Sequence, residues 1–129
     1  MNRIVHLALK VDDLEKATTF YENVFGFKQL NTERYAKHVS RHMTDGDMDI
    51  ALMAWTDGNS EEAQQAGPGT RIHHWGVEVA DRDAFAERVK EHGAEILSKP
   101  GAPVLRLRAP DHTIMEVVSP GRYEKAPAA

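Results

Sequence analysis

The chain has 129 residues, enough for one domain that buries about two thirds of the surface its unfolded form exposes. It has no cysteine, which excludes disulfides, thiolate nucleophiles and cysteine-ligated zinc or iron–sulfur sites and leaves His, Asp and Glu to hold any metal. The formal net charge of −4 is mixed in sign along the chain, with no basic run, which argues against nucleic acid or an anionic membrane as partner.

The first apolar run, Ile4 to Val11, is interrupted by His6 and Lys10 and followed by Asp12-Asp13. It reads as a strand rather than a signal peptide or membrane span, so a cytoplasmic protein is expected. Asp12 or Asp13 is a natural helix cap, and Asp12 with Glu15 has capping-box spacing. Leu14, Ala17, Tyr21 and Val24, with Phe20 and Phe25 beside them, recur at three- and four-residue steps, the pattern of one helix face ended by Gly26. Three strands are predicted next, over Phe27 to Thr32, Tyr35 to Met43 and Asp49 to Trp55, the last two joined at Asp45-Gly46-Asp47.

The polar, Gly-rich stretch 57–70 reads as a linker between units that can overhang whatever site they form. A second unit repeats the order: strand Ile72 to Val79, cap Asp81, helix Ala84 to His92 with Phe85 and Val89 on one face, stop Gly93. Short strands follow at Glu95 to Leu97, Val104 to Arg108 and Thr113 to Val118. The chain thus divides into a first βαβββ module over 1–56, the linker, a second module over 71–120 and a loose tail over 121–129. With one helix per module, each sheet keeps one face free. Two such sheets side by side give an α+β fold, a half-open curved sheet with helices outside.

The two opening strands match at an offset of 68 residues, with His6 on His74, Leu7 on Trp75, Ala8 on Gly76 and Leu9 on Val77. Alternation puts Leu7, Leu9, Trp75 and Val77 against the helices, and a histidine followed by a very small residue on the reverse face of each copy. Glu116 is the one carboxylate in the apolar strand Thr113 to Val118, and a buried carboxylate requires a cation or strong donors. His6, His74 and Glu116, on three separate strands, would form a two-histidine, one-carboxylate metal site with positions left for water, dioxygen or substrate. His73 aligns with Val5, and alternation sends it to the helix side, so it is read as structural. Arg106 and Arg108 alternate with leucines and face the cup, where they would hold an anionic group. His38 and His42 share a face that would line the same cavity, and Tyr123 is read as tail packing, with a donor role at the mouth as the alternative. His92 and His112 are read as surface residues.

These features resemble the vicinal oxygen chelate superfamily, which includes glyoxalase I, extradiol dioxygenases, methylmalonyl-CoA epimerase and bleomycin-binding proteins. The resemblance spans residues 3 to 120. It is carried by Val5-His6-Leu7-Ala8, Asp13-Leu14-Glu15-Lys16-Ala17, Phe25-Gly26-Phe27, Asp45-Gly46, Gly67-Pro68-Gly69 before His73-His74-Trp75-Gly76, and Ala109-Pro110-Asp111-His112 ahead of Glu116. It implies that His6, His74 and Glu116 bind a divalent metal and are the catalytic residues, with Fe2+ favoured over Mn2+, Ni2+ or Zn2+. It further implies a small-molecule substrate chelated through two adjacent oxygens, and a homodimer. In some relatives the units pair across chains, so that His6 would serve a partner's site. Glyoxalase-type members have a fourth ligand on the last strand of the first unit. Its position here falls at or near Ile50, and Asp49 points away if Ile50 faces inward. Three ligands favour a dioxygenase-like activity over the alternatives, a glyoxalase-like lyase or isomerase and a non-catalytic drug- or metabolite-binding protein.

Overall fold

The computed structural model describes residues 2–123. In chain order the elements are β1 (Arg3–Lys10), α1 (Leu14–Phe25), β2 (Lys28–Arg34), β3 (His38–Thr44), β4 (Asp49–Trp55), β5 (Arg71–Glu78), α2 (Arg82–Glu91), β6 (Glu95–Ile96), β7 (Leu105–Arg108) and β8 (Ile114–Val118). The strands form one sheet in the order β2-β3-β4-β1-β5-β8-β7-β6. Each module carries one parallel contact, β1 with β4 and β5 with β8, and the modules join where β1 and β5 run antiparallel. The expected α+β architecture of two βαβββ units is the one found. Neither described helix is long and apolar enough to cross a membrane.

Local chemistry sets the helix ends. Asp13, not Asp12, caps α1, its side chain accepting from the Lys16 N–H, and Gly26 stops the helix with φ 71°, a left-handed conformation that glycine adopts without strain. Asp81 caps α2 in the same way by accepting from the Ala84 N–H. Phe85 and Val89 of α2 pack on Val79, Leu107 and Val117, the core of the second module. In α1 the expected apolar face is only partly covered: Leu14, Ala17 and Tyr21 are half-buried, whereas Phe20, Val24 and Phe25 are exposed. In the turn before β8, His112 takes φ 73°, a left-handed conformation uncommon for any residue but glycine.

The seam between β1 and β5 departs from simple alternation twice. Its register shifts between Ile4 and His6 and again between Ala8 and Leu9, which leaves Val5 on one strand and His73 on the other without a residue directly opposite. These are β-bulges at equivalent positions of the two copies, each just before the repeated histidine. Between them His6 faces Gly76 and Ala8 faces His74, so each histidine lies across from the other copy's smallest residue. A Cβ on Gly76 would stand 2.9 Å from the Cβ of His6.

Candidate metal centre and its cup

The seam, with β8 beside it, brings His6, His74 and Glu116 together within one chain, and a ligand atom from each lies within 4.8 Å of the others. All three are buried. His6 Nε2 stands 3.2 Å from His74 Nε2, His74 Nε2 is 3.1 Å from Glu116 Oε1, and His6 Nε2 is 3.9 Å from Glu116 Oε2. Ligands about 2.1 Å from one cation and at right angles lie about 3 Å apart, so the triangle is of the size a divalent metal requires. No residue of a partner subunit is needed to complete it.

The surroundings aim these donors. Asp49 Oδ2 is 2.6 Å from His6 Nδ1. The carboxylate accepts, so Nδ1 carries the proton and Nε2 presents its lone pair to the site. Asp49 also accepts from Nδ1 of His42, at 2.9 Å and 3.0 Å to its two oxygens. Burial pushes the Asp49 carboxyl up, but the bonds from His42 and His6 hold it below its ordinary value. Burial acts the same way on Glu116, where the hydrogen bond with His74 and the charge of the Arg106 guanidinium hold the carboxyl well below the usual range. Each Glu116 oxygen accepts from a donor outside the triangle: Arg106 Nη2 at 2.7 Å on Oε1 and the Tyr123 hydroxyl at 2.8 Å on Oε2. The Tyr123 ring stacks on His6 with centroids 4.2 Å apart. Burial pushes His74 down to about 4 against the pull of Glu116, so the ring is neutral near pH 7, the form that ligates metal.

In front of the triangle opens a cavity of about 690 Å³ whose walls include Leu30, Ser40, Ala51, Met53 and Val104. His38 and His42 line it. His38 packs between Tyr35 and Trp55, and His42 Nε2 lies 3.3 Å from Glu33 Oε1, with the Tyr35 hydroxyl donating to the other oxygen of Glu33. Arg106 also lines the cavity, but its guanidinium binds Glu116 and, at 3.4 Å, Glu62. Arg108 does not reach the cavity; it pairs in register with Ile114 and Glu95 farther along the sheet. His92 and His112 are exposed.

Three further sequence expectations change. Asp49, not Ile50, faces the cup, since Asp49, Ala51 and Met53 line it together. Register places Ala51 beside Ala8 where Glu116 stands beside Gly76, so the counterpart of Glu116 is Ala51. His73 does not turn to the helix side, because its bulge sets it next to His74, Nδ1 to Nδ1 at 2.8 Å. The expected loose tail over 121–129 begins with Gly121, whose N–H donates to Glu78, and Tyr123 on His6; residues 124–129 lie outside the described residues. The linker does overhang the site, since Glu62 lines the cup and its carbonyl faces His73.

A β-sheet cup with two symmetry-related histidines and one carboxylate on adjacent strands defines a metallo-site scaffold built by duplication. Residues 3–109 match the family model of the Glyoxalase/Bleomycin resistance protein/Dioxygenase superfamily, and the chain belongs to that superfamily, whose members typically bind a divalent metal. A lactoylglutathione lyase of Neisseria meningitidis serogroup A is 28% identical over 108 residues, covering 77% of this chain and 72% of the relative. Among solved structures, a hypothetical protein from Bacillus halodurans C-125 superposes with a TM-score of 0.77 at 22% identity, covering 98% of this chain and 99% of that one. Methylmalonyl-CoA epimerase from Mycobacterium tuberculosis gives 0.73 at 22% identity, covering 96% and 88%. At these identities the structural likenesses establish the fold.

Proposed function

We propose that the protein is a metal-dependent lyase or isomerase that moves a proton on a small thioester or hemithioacetal carrying two adjacent oxygens. The observation that carries this reading is the pairing of the His6, His74 and Glu116 triangle with a further imidazole, that of His42, held separately in the same cup. The curated relative is a lactoylglutathione lyase and a structural neighbour a methylmalonyl-CoA epimerase; both names denote thioesters whose reaction turns on a proton next to a carbonyl.

His6, His74 and Glu116 would hold the cation, which when bound supplies Lewis-acid polarisation of the substrate oxygens. Arg106 and Tyr123 keep the Glu116 carboxylate in one orientation through the bonds described above. His42 is the proton-handling group. Its Nδ1 is anchored on Asp49 and its Nε2 lies at the cavity wall beside Glu33, the arrangement of a general acid–base. Bonding to Asp49 and the charges of Asp49 and Glu33 outweigh burial and raise its proton affinity. Leu30, Ala51 and Met53 give the cup an apolar flank that excludes water from the reacting carbon.

The test is turnover by protein loaded in turn with Ni2+, Zn2+, Mn2+ or Fe2+, followed as loss of a hemithioacetal and as solvent deuterium entering the carbon beside a thioester carbonyl. Activity with at least one metal is expected, and His42→Gln should lower kcat by about 10²–10⁴-fold while leaving metal binding intact. Inactivity with every metal and both substrate types would sink the reading.

A ring-cleaving dioxygenase is the second reading, favoured by one observation: Ala51 stands where a fourth donor would be, leaving the two-histidine, one-carboxylate set associated with non-haem iron(II). Oxygen uptake by iron-loaded protein supplied with catechols would put this reading first.

A further inference from the structure

One side chain ties the linker to the metal triangle. The stretch 57–70, which overhangs the cup, is held to the sheet at two backbone points: the Lys10 ammonium donates to the Gly58 carbonyl at 2.9 Å, and the Glu62 carbonyl meets Nε2 of His73 at 2.8 Å. Turns order the strap between them, with the N–H groups of Ser60, Gln64 and Gly67 donating to the carbonyls of Asp57, Ser60 and Gln64. The Glu62 carboxylate lines the cup and lies 3.4 Å from Arg106 Nη1, while Nη2 of the same guanidinium donates to Glu116 Oε1 at 2.7 Å. That oxygen is also the one 3.1 Å from His74 Nε2. Arg106 and Glu116 are partners in the β7–β8 register, which puts both side chains on the cup face. The remaining donor, Nε of Arg106, is buried without a partner among the described residues. The guanidinium is therefore shared between two carboxylates and is not locked by a full set of bonds.

From this shared guanidinium we infer that Glu62 is a positioning residue for Glu116: it acts through Arg106, and it makes the order of 57–67 depend on whether the triangle of His6, His74 and Glu116 holds a divalent cation. This role rests on the reading of that triangle as a metal site. Arginine keeps its charge in proteins, and a buried carboxylate needs a positive partner, so in the metal-free protein Arg106 supplies the charge that Glu116 requires. In the loaded protein Glu116 also faces the cation, and two positive groups on one carboxylate repel. The guanidinium then leans on its other acceptor, Glu62, and holds the strap more firmly over the cup. By reciprocity, a strap that draws Arg106 toward itself leaves Glu116 more available to the cation. The Glu62 side chain is 39% exposed and that of Arg106 15%. Ion pairs open to solvent are weak, so the coupling amounts to about two- to fivefold in either equilibrium. It belongs to the second module alone, since Ala51, the counterpart of Glu116, has no charge for an arginine to share.

Amide hydrogen exchange in 57–67, followed with and without saturating Zn2+, reads the coupling directly. In the wild type Zn2+ should slow exchange in this stretch about two- to fivefold. In Glu62→Gln, which removes the charge at nearly constant shape, the slowing should vanish although Zn2+ still binds. Zn2+ affinity, measured by chelator competition, should fall by the same factor in that variant. A second background separates action through Arg106 from the plain field of a nearby carboxylate. In Arg106→Gln, the added change Glu62→Gln should leave affinity unaltered, whereas an equal loss in both backgrounds would overturn the part assigned to Arg106. Zn2+ binding that leaves exchange in 57–67 unchanged or speeds it, or that slows it equally in wild type and Glu62→Gln, would overturn the inference and leave the metal centre standing. Failure of the wild type to bind Zn2+, Ni2+, Mn2+ or Fe2+ would remove the metal centre, and the coupling with it.

Discussion

Buried between two imidazoles, Asp49 orients His6 toward the cation site and anchors His42 in the cup. Asp49→Ala removes the acceptor from both Nδ1–H groups and frees His6 to adopt the other tautomer. Metal affinity, measured by chelator competition, should fall on the order of 10–100-fold, and an unchanged affinity would speak against the orienting role. His6 and His74 were legible in the sequence because they recur at one offset, and Glu116 because it is a lone carboxylate in an apolar strand. Asp49 was not. The run Ile50-Ala51-Leu52-Met53-Ala54 is apolar on both faces, as in a strand covered on both sides, so alternation gives no sign of which parity points into the cup. His73 was hidden for another reason: a single-residue bulge reverses facing without leaving a mark in residue type.

At the level of elements, the seam between β1 and β5 is the tightest constraint on the site. Gly76→Ala would bring a Cβ to 2.9 Å from the Cβ of His6, and neither atom is the flexible end of a side chain, so the strands must part or the ring must shift. A loss of about 1–3 kcal/mol is expected, read by urea unfolding, together with weaker metal binding; wild-type stability and affinity would show that the seam yields freely. Helix ends, the two-module order and most strands could be read beforehand, because Asp caps, Gly26 and period-two alternation act locally. How much of α1 is covered could not, since that depends on what packs beside Phe20 and Val24 and not on their spacing.

For the molecule as a whole, the buried histidines set an acid limit on stability in the metal-free state. His74 has an ordinary value of 6.5 and is pushed down to about 4 in the fold, first by burial. A lowered value means that the unfolded chain takes up the proton first, so the stabilisation is complete above pH 6.5 and is lost as the pH falls toward 4. His73 is shifted in the same direction. His42 is raised, so its contribution is present at low pH and is lost as the pH rises through its folded value; it offsets part of the slope. Unfolding free energy should therefore decline between pH 6.5 and 4, and His74→Gln should flatten the decline. An unaltered slope in that variant would place the acid sensitivity elsewhere.

The register that sets Ala51 beside Ala8 and Glu116 beside Gly76 has a geometric consequence. The paired histidines obey a local dyad, and the flanks do not: one side ends in a negative group, the other in a methyl. A guest with two interchangeable oxygens would still find its two ways round unequal in energy. Anything seated in the bowl therefore meets charge on one flank and a methyl on the other at this register.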